Sequence, residues 1–173
     1  MTLQEFLPLL RTANDTRQGE WPGSASADTL FRAAEVVGEV GELADAVALL
    51  ELGPGSIRQI TEETGDALIA LDLFCAHIGI DTQQQPTPAS YTKLNHLPIA
   101  ACLLMEAVKK LARAERGIAG NSNHDPMDQV RACCGDILYC LSDFCRARQI
   151  NLIGAATAKF NATSVKHGLQ TRL

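Results

Sequence analysis

The sequence predicts an all-helical fold, a four-helix bundle built from two tandem helical hairpins plus short terminal helices. Three observations predict it. Ala and Leu abound while aromatic residues make up only 5% of the chain, a mixture that favours helices over strands. Apolar residues recur at i, i+4 and i+7 along several long segments. Those segments are bounded by capping residues at one end and by Gly, Pro or polar clusters at the other.

Thr2 followed by Glu5 is a capping-box pattern. Leu3, Phe6, Leu7 and Leu10 then recur at helical spacing, so a short first helix should end near residue 18. Gly19, Pro22, Gly23 and Ser24 make the next stretch a loop. A second helix is expected from about Asp28 to Leu52, with Val36, Val40, Leu43, Val47 and Leu50 as its core-facing stripe. Gly53-Pro54-Gly55 stops it, and Ser56 caps a third helix over about 57–78. The short connection makes this pair an antiparallel hairpin.

Pro and Gln residues mark a linker over 83–96. A fourth helix should start at Pro98 and end near Gly117, followed by a polar loop over 118–125. Asp125-Pro126 opens a fifth helix that runs to about Gln149, and a last short helix covers about 151–161.

An internal repeat supports the two-hairpin plan. Residues 65–75 (GDALIALDLFC) match residues 135–145 (GDILYCLSDFC) at Gly, Asp, both Leu, Phe and Cys. The halves are then 1–82 and 97–173, joined by 83–96 into one compact domain.

Composition narrows the function. The net charge is −5, and no basic stripe is present, which argues against a nucleic-acid polymer as partner. No segment is long and apolar enough to span a bilayer, and Met1-Thr2-Leu3-Gln4-Glu5 lacks the features of a secretory leader. A cytoplasmic protein with no membrane partner is expected. The six cysteines form no CxxC pair, so they are read as reduced core residues rather than zinc ligands.

The chemistry lies in two acidic pairs. Glu39 and Glu42 are three residues apart on the second helix, and Glu63 and Asp66 are three apart on the third. Residues at that spacing share a helix face. Folding the hairpin can bring both pairs together beside the apolar stripes. Like charges so placed repel, and a hard divalent cation with oxygen ligands would relieve the repulsion. A ferritin-like di-metal site would need ExxH, which is absent.

Glu39-xx-Glu42 with Glu63-xx-Asp66 resembles the ExxE…ExxD signature of MazG-like nucleotide pyrophosphohydrolases. The flanking text, Gly38-Glu39-Val40-Gly41-Glu42-Leu43 and Glu62-Glu63-Thr64-Gly65-Asp66-Ala67-Leu68, is similar too. Asn14, Arg17, Glu20 and Trp21 resemble the N-terminal segment of phage-type members, and Lys159 to Ser164 with Lys166 resembles their C-terminal end. The resemblance implies Mg²⁺-dependent hydrolysis of a nucleoside triphosphate to the monophosphate and pyrophosphate, in nucleotide-pool or house-cleaning work. It implies that Glu39, Glu42, Glu63 and Asp66 hold Mg²⁺, with Mn²⁺ as a possible substitute. Lys159 and Asn161 would meet the phosphates, and Arg17 and Asn14 are further candidate substrate contacts. A base could stack on Trp21, the only tryptophan, whose other reading is a packing anchor for its loop. The base stays open. The alternatives are a non-catalytic interaction module on the same fold, or a phosphoribosyl-ATP-type pyrophosphohydrolase. A homodimer is expected, because two hairpins in one chain would replace one pairing of single-hairpin relatives.

The second half is expected to be a vestige. Asp136 stands at the place of Asp66, but Ala132 and Cys133 replace Glu62 and Glu63. Glu106 is followed three residues later by Lys109 rather than by an acid. The Lys159–Asn161 segment has only a weak first-half counterpart in Lys93 and Asn95.

Overall fold

The computed structural model describes residues 1–82, 96–118 and 125–173. Lys93, Asn95 and most of the 83–96 linker and the 118–125 loop lie outside the described residues. The fold is all-α: α1 (Leu3–Glu20), α2 (Thr29–Leu52), α3 (Ile57–His77), α4 (Leu97–Glu115), α5 (Pro126–Ala147) and α6 (Leu152–Lys166), with a short 3₁₀ turn at Ser24–Ser26. Among the described residues no helix is long and apolar enough to cross a membrane.

Every helix start but that of α4 carries a side-chain cap; α4 begins instead with Pro98 in its first turn. Thr2 with Glu5, and Ser56 with Gln59, form reciprocal capping boxes on α1 and α3. Asp28 accepts from the Phe31 N–H at 2.7 Å, and Asn151 accepts from the Gly154 N–H at 3.0 Å. These bonds satisfy amides that a helix leaves unpaired at its first turn. Gly53 ends α2 with φ of 103°, a left-handed conformation that only glycine adopts cheaply.

Two helices end later than expected. α1 continues to Glu20, and α6 continues five residues past the expected 161 to Lys166. The extra turn of α6 is held by tertiary packing: Phe160 and Ser164 are fully buried. Asn161 therefore lies inside α6 rather than at its end.

The bundle is a four-sided arrangement in which α2 packs on α3, α4 on α5, α2 on α4, and α3 on α5. α6 lies along α3, and α1 covers α3 and touches α6. α3 is consequently the central helix, with Ile60, Thr64, Leu68, Leu71, Phe74 and Cys75 all at or near zero exposure. Each large apolar side chain among them contributes about 1.5–3 kcal/mol of burial.

The repeat has a counterpart in three dimensions. The Cys134 thiol lies beside Cys75, and the Cys145 thiol beside Thr64. Shifting by the repeat offset turns residue 64 into 134 and residue 75 into 145, so the same contact occurs twice with the halves exchanged. The two hairpins also end alike. The N–H of Ile80 bonds to the Cys75 carbonyl and that of Ile150 to the Cys145 carbonyl, each at 2.8 Å. Gly79 and Gln149 take positive φ at the matching turn.

Candidate metal centre and the adjoining cleft

α2 contributes Glu39, and α3 contributes Glu63 and Asp66. Carboxylate oxygens of these three residues all lie within 4.8 Å of one another. Glu42 sits one turn along α2, exposed, outside that trio but close enough to act on its charges. The ExxE and ExxD spacings thus put both pairs on facing sides of one hairpin.

Crowding shows in the acid strengths. Burial, reinforced by the charges of Asp66, Glu42 and Glu63, raises the Glu39 carboxyl to about 7. Glu63 and Asp66 are also raised by burial, with Lys159 opposing the shift in both. One oxygen of Glu63, Oε2, is buried with no hydrogen-bond partner. An unsatisfied buried carboxylate oxygen is costly unless something supplies a positive or donor group.

The cation that the protein itself supplies is Lys159. Its ammonium, carried on α6, contacts Asp66 Oδ2. Burial works against the lysine's charge, but the hydrogen bond and charge of Asp66 outweigh it, and its pKa is raised. Gly65 makes this approach possible. A Cβ at Gly65 would stand 2.7 Å from the Ala155 carbonyl oxygen and 2.9 Å from its carbon, both backbone atoms of α6. Only a residue without a side chain lets α6 lie this close to α3. The acids thus come from the first half and the lysine from the second.

A cleft of about 710 Å³ opens beside Glu39 and Asp66. Arg17, Trp21, Phe31 and Arg32 are among its lining residues. The Trp21 and His167 rings stack obliquely, with centroids 4.6 Å apart. Arg17 is only 4% exposed and lies over the Phe160 ring, 3.7 Å from its centroid.

Two expected contacts sit elsewhere. Asn14 is fully buried and does not line the cleft; its amide nitrogen donates to Asp72 at 2.9 Å and its oxygen accepts from Arg17 at 3.3 Å. Asn161 uses its carboxamide on the Leu173 backbone, donating to the carbonyl at 2.9 Å and accepting from the N–H at 2.8 Å. That clasp works with Glu20, whose Oε2 accepts from the Gln170 and Thr171 amides at 2.6 and 3.2 Å. Together they fasten the C-terminal segment over the end of α1.

Sequence reasoning missed Arg32, Glu35 and Gln18, which also line the cleft. Arg32 is 8% exposed and binds Glu35 at 2.7 Å and the Gln18 carboxamide. The signal was available: residues 32, 35 and 39 share one face of α2 at i, i+3 and i+7 spacing.

The matching region of the second half is bare of acids beyond one. Asp136 is half-buried and raised by burial, Cys133 stands where Glu63 would, and Glu106 is paired with Lys109 on α4. Among the described residues the trio is the single cluster with metal-ligand proximity.

Comparison with protein-family models, curated proteins and solved structures finds no match to this chain.

Proposed function

We propose that this chain is a Mg²⁺-dependent, MazG-like nucleotide pyrophosphohydrolase that cleaves a nucleoside triphosphate to the monophosphate and pyrophosphate. The observation that carries the reading is the convergence of Glu39, Glu63 and Asp66 at the edge of a cleft, with Lys159 arriving from another helix. The residues fit a hard divalent ion: three carboxylates within 4.8 Å and an orphaned buried oxygen on Glu63. Mg²⁺, or Mn²⁺ in its place, would be held by these acids with Glu42 alongside, and when bound it supplies neutralisation and orientation of phosphate oxygens.

The chain's own groups then divide the remaining work. Lys159 offers a positive charge to the phosphates, since its ammonium is partly exposed beside Asp66. Glu42, outside the trio and exposed, is the carboxylate assigned to accept the proton of the attacking water. Water oxygen bonds to phosphorus, the bridging P–O bond breaks, and pyrophosphate departs. The cleft is large enough for a nucleoside, with Trp21 offering a ring face on which a base can stack. The reading includes a cytoplasmic setting, a homodimer and no nucleic-acid polymer partner.

The test is pyrophosphate release over a panel of ordinary, deoxy and modified nucleotides, with Mg²⁺ and with EDTA. Mg²⁺-dependent release from at least one nucleotide is expected. No release from any of them sinks the enzymatic reading. Light scattering at micromolar concentration tests the dimer, and a monomer would contradict it.

A further inference from the structure

Arg17 is a nearly buried cation with unused hydrogen-bonding capacity. A guanidinium carries five N–H donors. Two are used here, both at long range: one goes to Asn14 Oδ1 at 3.3 Å and one to the Phe160 carbonyl at 3.4 Å. Its Nε is buried without a partner. The residue lines the same cleft as Asp66 and Glu39. Asp66 already acts on this charge through space, and the donors left unfilled call for a further anionic acceptor.

The orientation of Arg17 is traced back through two further buried side chains. Asp72 has no exposure and accepts from Arg11 Nε at 3.0 Å and from Asn14 Nδ2 at 2.9 Å, with Arg11 Nη2 ion-paired 2.9 Å from the same carboxylate. A carboxylate only accepts, so Asp72 forces the amide nitrogen of Asn14 toward itself. The Asn14 oxygen must then face Arg17. With Phe160 beneath the guanidinium plane, Arg17 is held from two sides.

We propose that Asp72 is a positioning residue: acting through Asn14, it aims the Arg17 guanidinium at the polyphosphate of the nucleotide bound in the cleft. This rests on the pyrophosphohydrolase reading for the identity of the ligand. Asp72 does not touch the ligand. Its replacement alters the direction in which Asn14 presents its oxygen.

The experiment measures calorimetric binding of inorganic tripolyphosphate in the presence of Mg²⁺, which needs neither a base nor turnover. In Asp72→Asn, Arg11 takes the new amide's oxygen and its nitrogen faces Asn14. Asn14 then turns, and a donor meets Arg17 where an acceptor stood. Affinity is expected to fall about tenfold or more, the scale of one charge-assisted bond. In the exchange variant N14D/D72N, the carboxylate now on α1 accepts both from the amide now on α3 and from Arg17. Affinity should then return to within about threefold of wild type. Asn14→Leu removes the acceptor while Arg11 still neutralises Asp72, and must show the loss even if Asp72→Asn fails to fold. A merely structural role would lower the melting temperature and leave affinity alone. Wild-type affinity in Asp72→Asn or Asn14→Leu, a loss that the exchange variant does not recover, or no binding by wild type overturns the proposal. Wild type that binds tripolyphosphate but releases pyrophosphate from no nucleotide sinks the enzymatic reading alone.

Discussion

The hairpins α2–α3 and α4–α5 share a plan, down to the reciprocal contacts of Cys75 with Cys134 and Thr64 with Cys145. Their polar faces have diverged. In the first hairpin, Glu39, Glu63 and Asp66 crowd together, and burial with mutual charge raises Glu39 to about 7. In the second, the Cys133 thiol is pushed up to about 11 by burial and the charge of Asp136, a neutral group beside a lone acid. α6 accentuates the difference by laying Lys159 across the first hairpin only. The lesson is that a shared backbone scaffold leaves side-chain chemistry free to separate. One half concentrates negative charge, and the other supplies packing and the cation that answers it.

The largest effect should come from the acids themselves. Asp66→Asn and Glu63→Gln are each expected to lower pyrophosphate release roughly 10³-fold, since ligand loss removes several kcal/mol of charge stabilisation. Asp136→Asn should change it less than about twofold, because Asp136 has no acidic partners. Circular dichroism should show all three folded. Equal losses at 66 and 136 would refute the division between the halves.

Next in size is the helix crossing that brings the halves together. Gly65→Ala places a methyl group 2.7 Å from the Ala155 carbonyl, so α6 must shift and carry Lys159 away from Asp66. A destabilisation of about 1–3 kcal/mol is expected, with lowered turnover. The glycines of α2 behave oppositely. A Cβ at Gly38 or Gly41 meets nothing within 4 Å, so alanine there should stabilise α2 by about 1 kcal/mol each. Denaturant melts read both. Destabilisation at Gly38 as large as that at Gly65 would show that the crowding is misplaced.

A smaller effect is the pH dependence of the metal-free protein. The folded-state pKa of Glu39 lies near 7, above its ordinary value of 4.5. The unfolded chain therefore binds fewer protons through that window, and stability falls as pH rises from about 4.5 through about 7. In EDTA the melting temperature should be higher at about pH 5 than at about pH 8, and Glu39→Gln should flatten that slope. Asp136→Asn should flatten it less, because burial alone perturbs Asp136. A slope unchanged in Glu39→Gln would place the titration elsewhere.

The helices were legible because local signals agreed: capping residues, apolar stripes and glycine stops name one another along the chain. Glu39, Glu63 and Asp66 were legible because i+3 spacing on two adjacent helices leaves few ways to arrange four acids. Lys159 was named by resemblance, and its contact with Asp66 depends on a crossing set by Gly65 that no periodicity reveals. Asn14 and Asn161 were assigned to the ligand, yet the structure joins them to Asp72, Arg17 and Leu173. Polar residues on a helix advertise hydrogen bonding without saying with whom, and Asp72 and Leu173 lie 58 and 12 residues away in sequence. Asp72 was passed over because its helix position reads as part of an apolar run, and only α1 supplies the cation and amide that let a carboxylate sit there.

The smallest expected effect is the sharpest test of what spacing alone can do. Cys133→Glu recreates an ExxD pair with Asp136 on α5, the local pattern of Glu63 and Asp66 on α3. No second metal site should follow. The facing helix α4 offers Glu106, already paired with Lys109, and the half-site would stand without an equivalent of Glu39. A hard cation such as Mg²⁺ demands near-octahedral oxygen ligation, and two carboxylates on one helix approach it from a single side. Cys133 is partly buried against the core, so the added charge should also lower stability, by about 1–3 kcal/mol. Titration with Mn²⁺, followed by its paramagnetic resonance, should return the same number of ions per chain as wild type. An added ion in Cys133→Glu would mean that the repeat retained more of the site than its acids reveal. The asymmetry between the hairpins would then rest on one side chain rather than on the opposing helix.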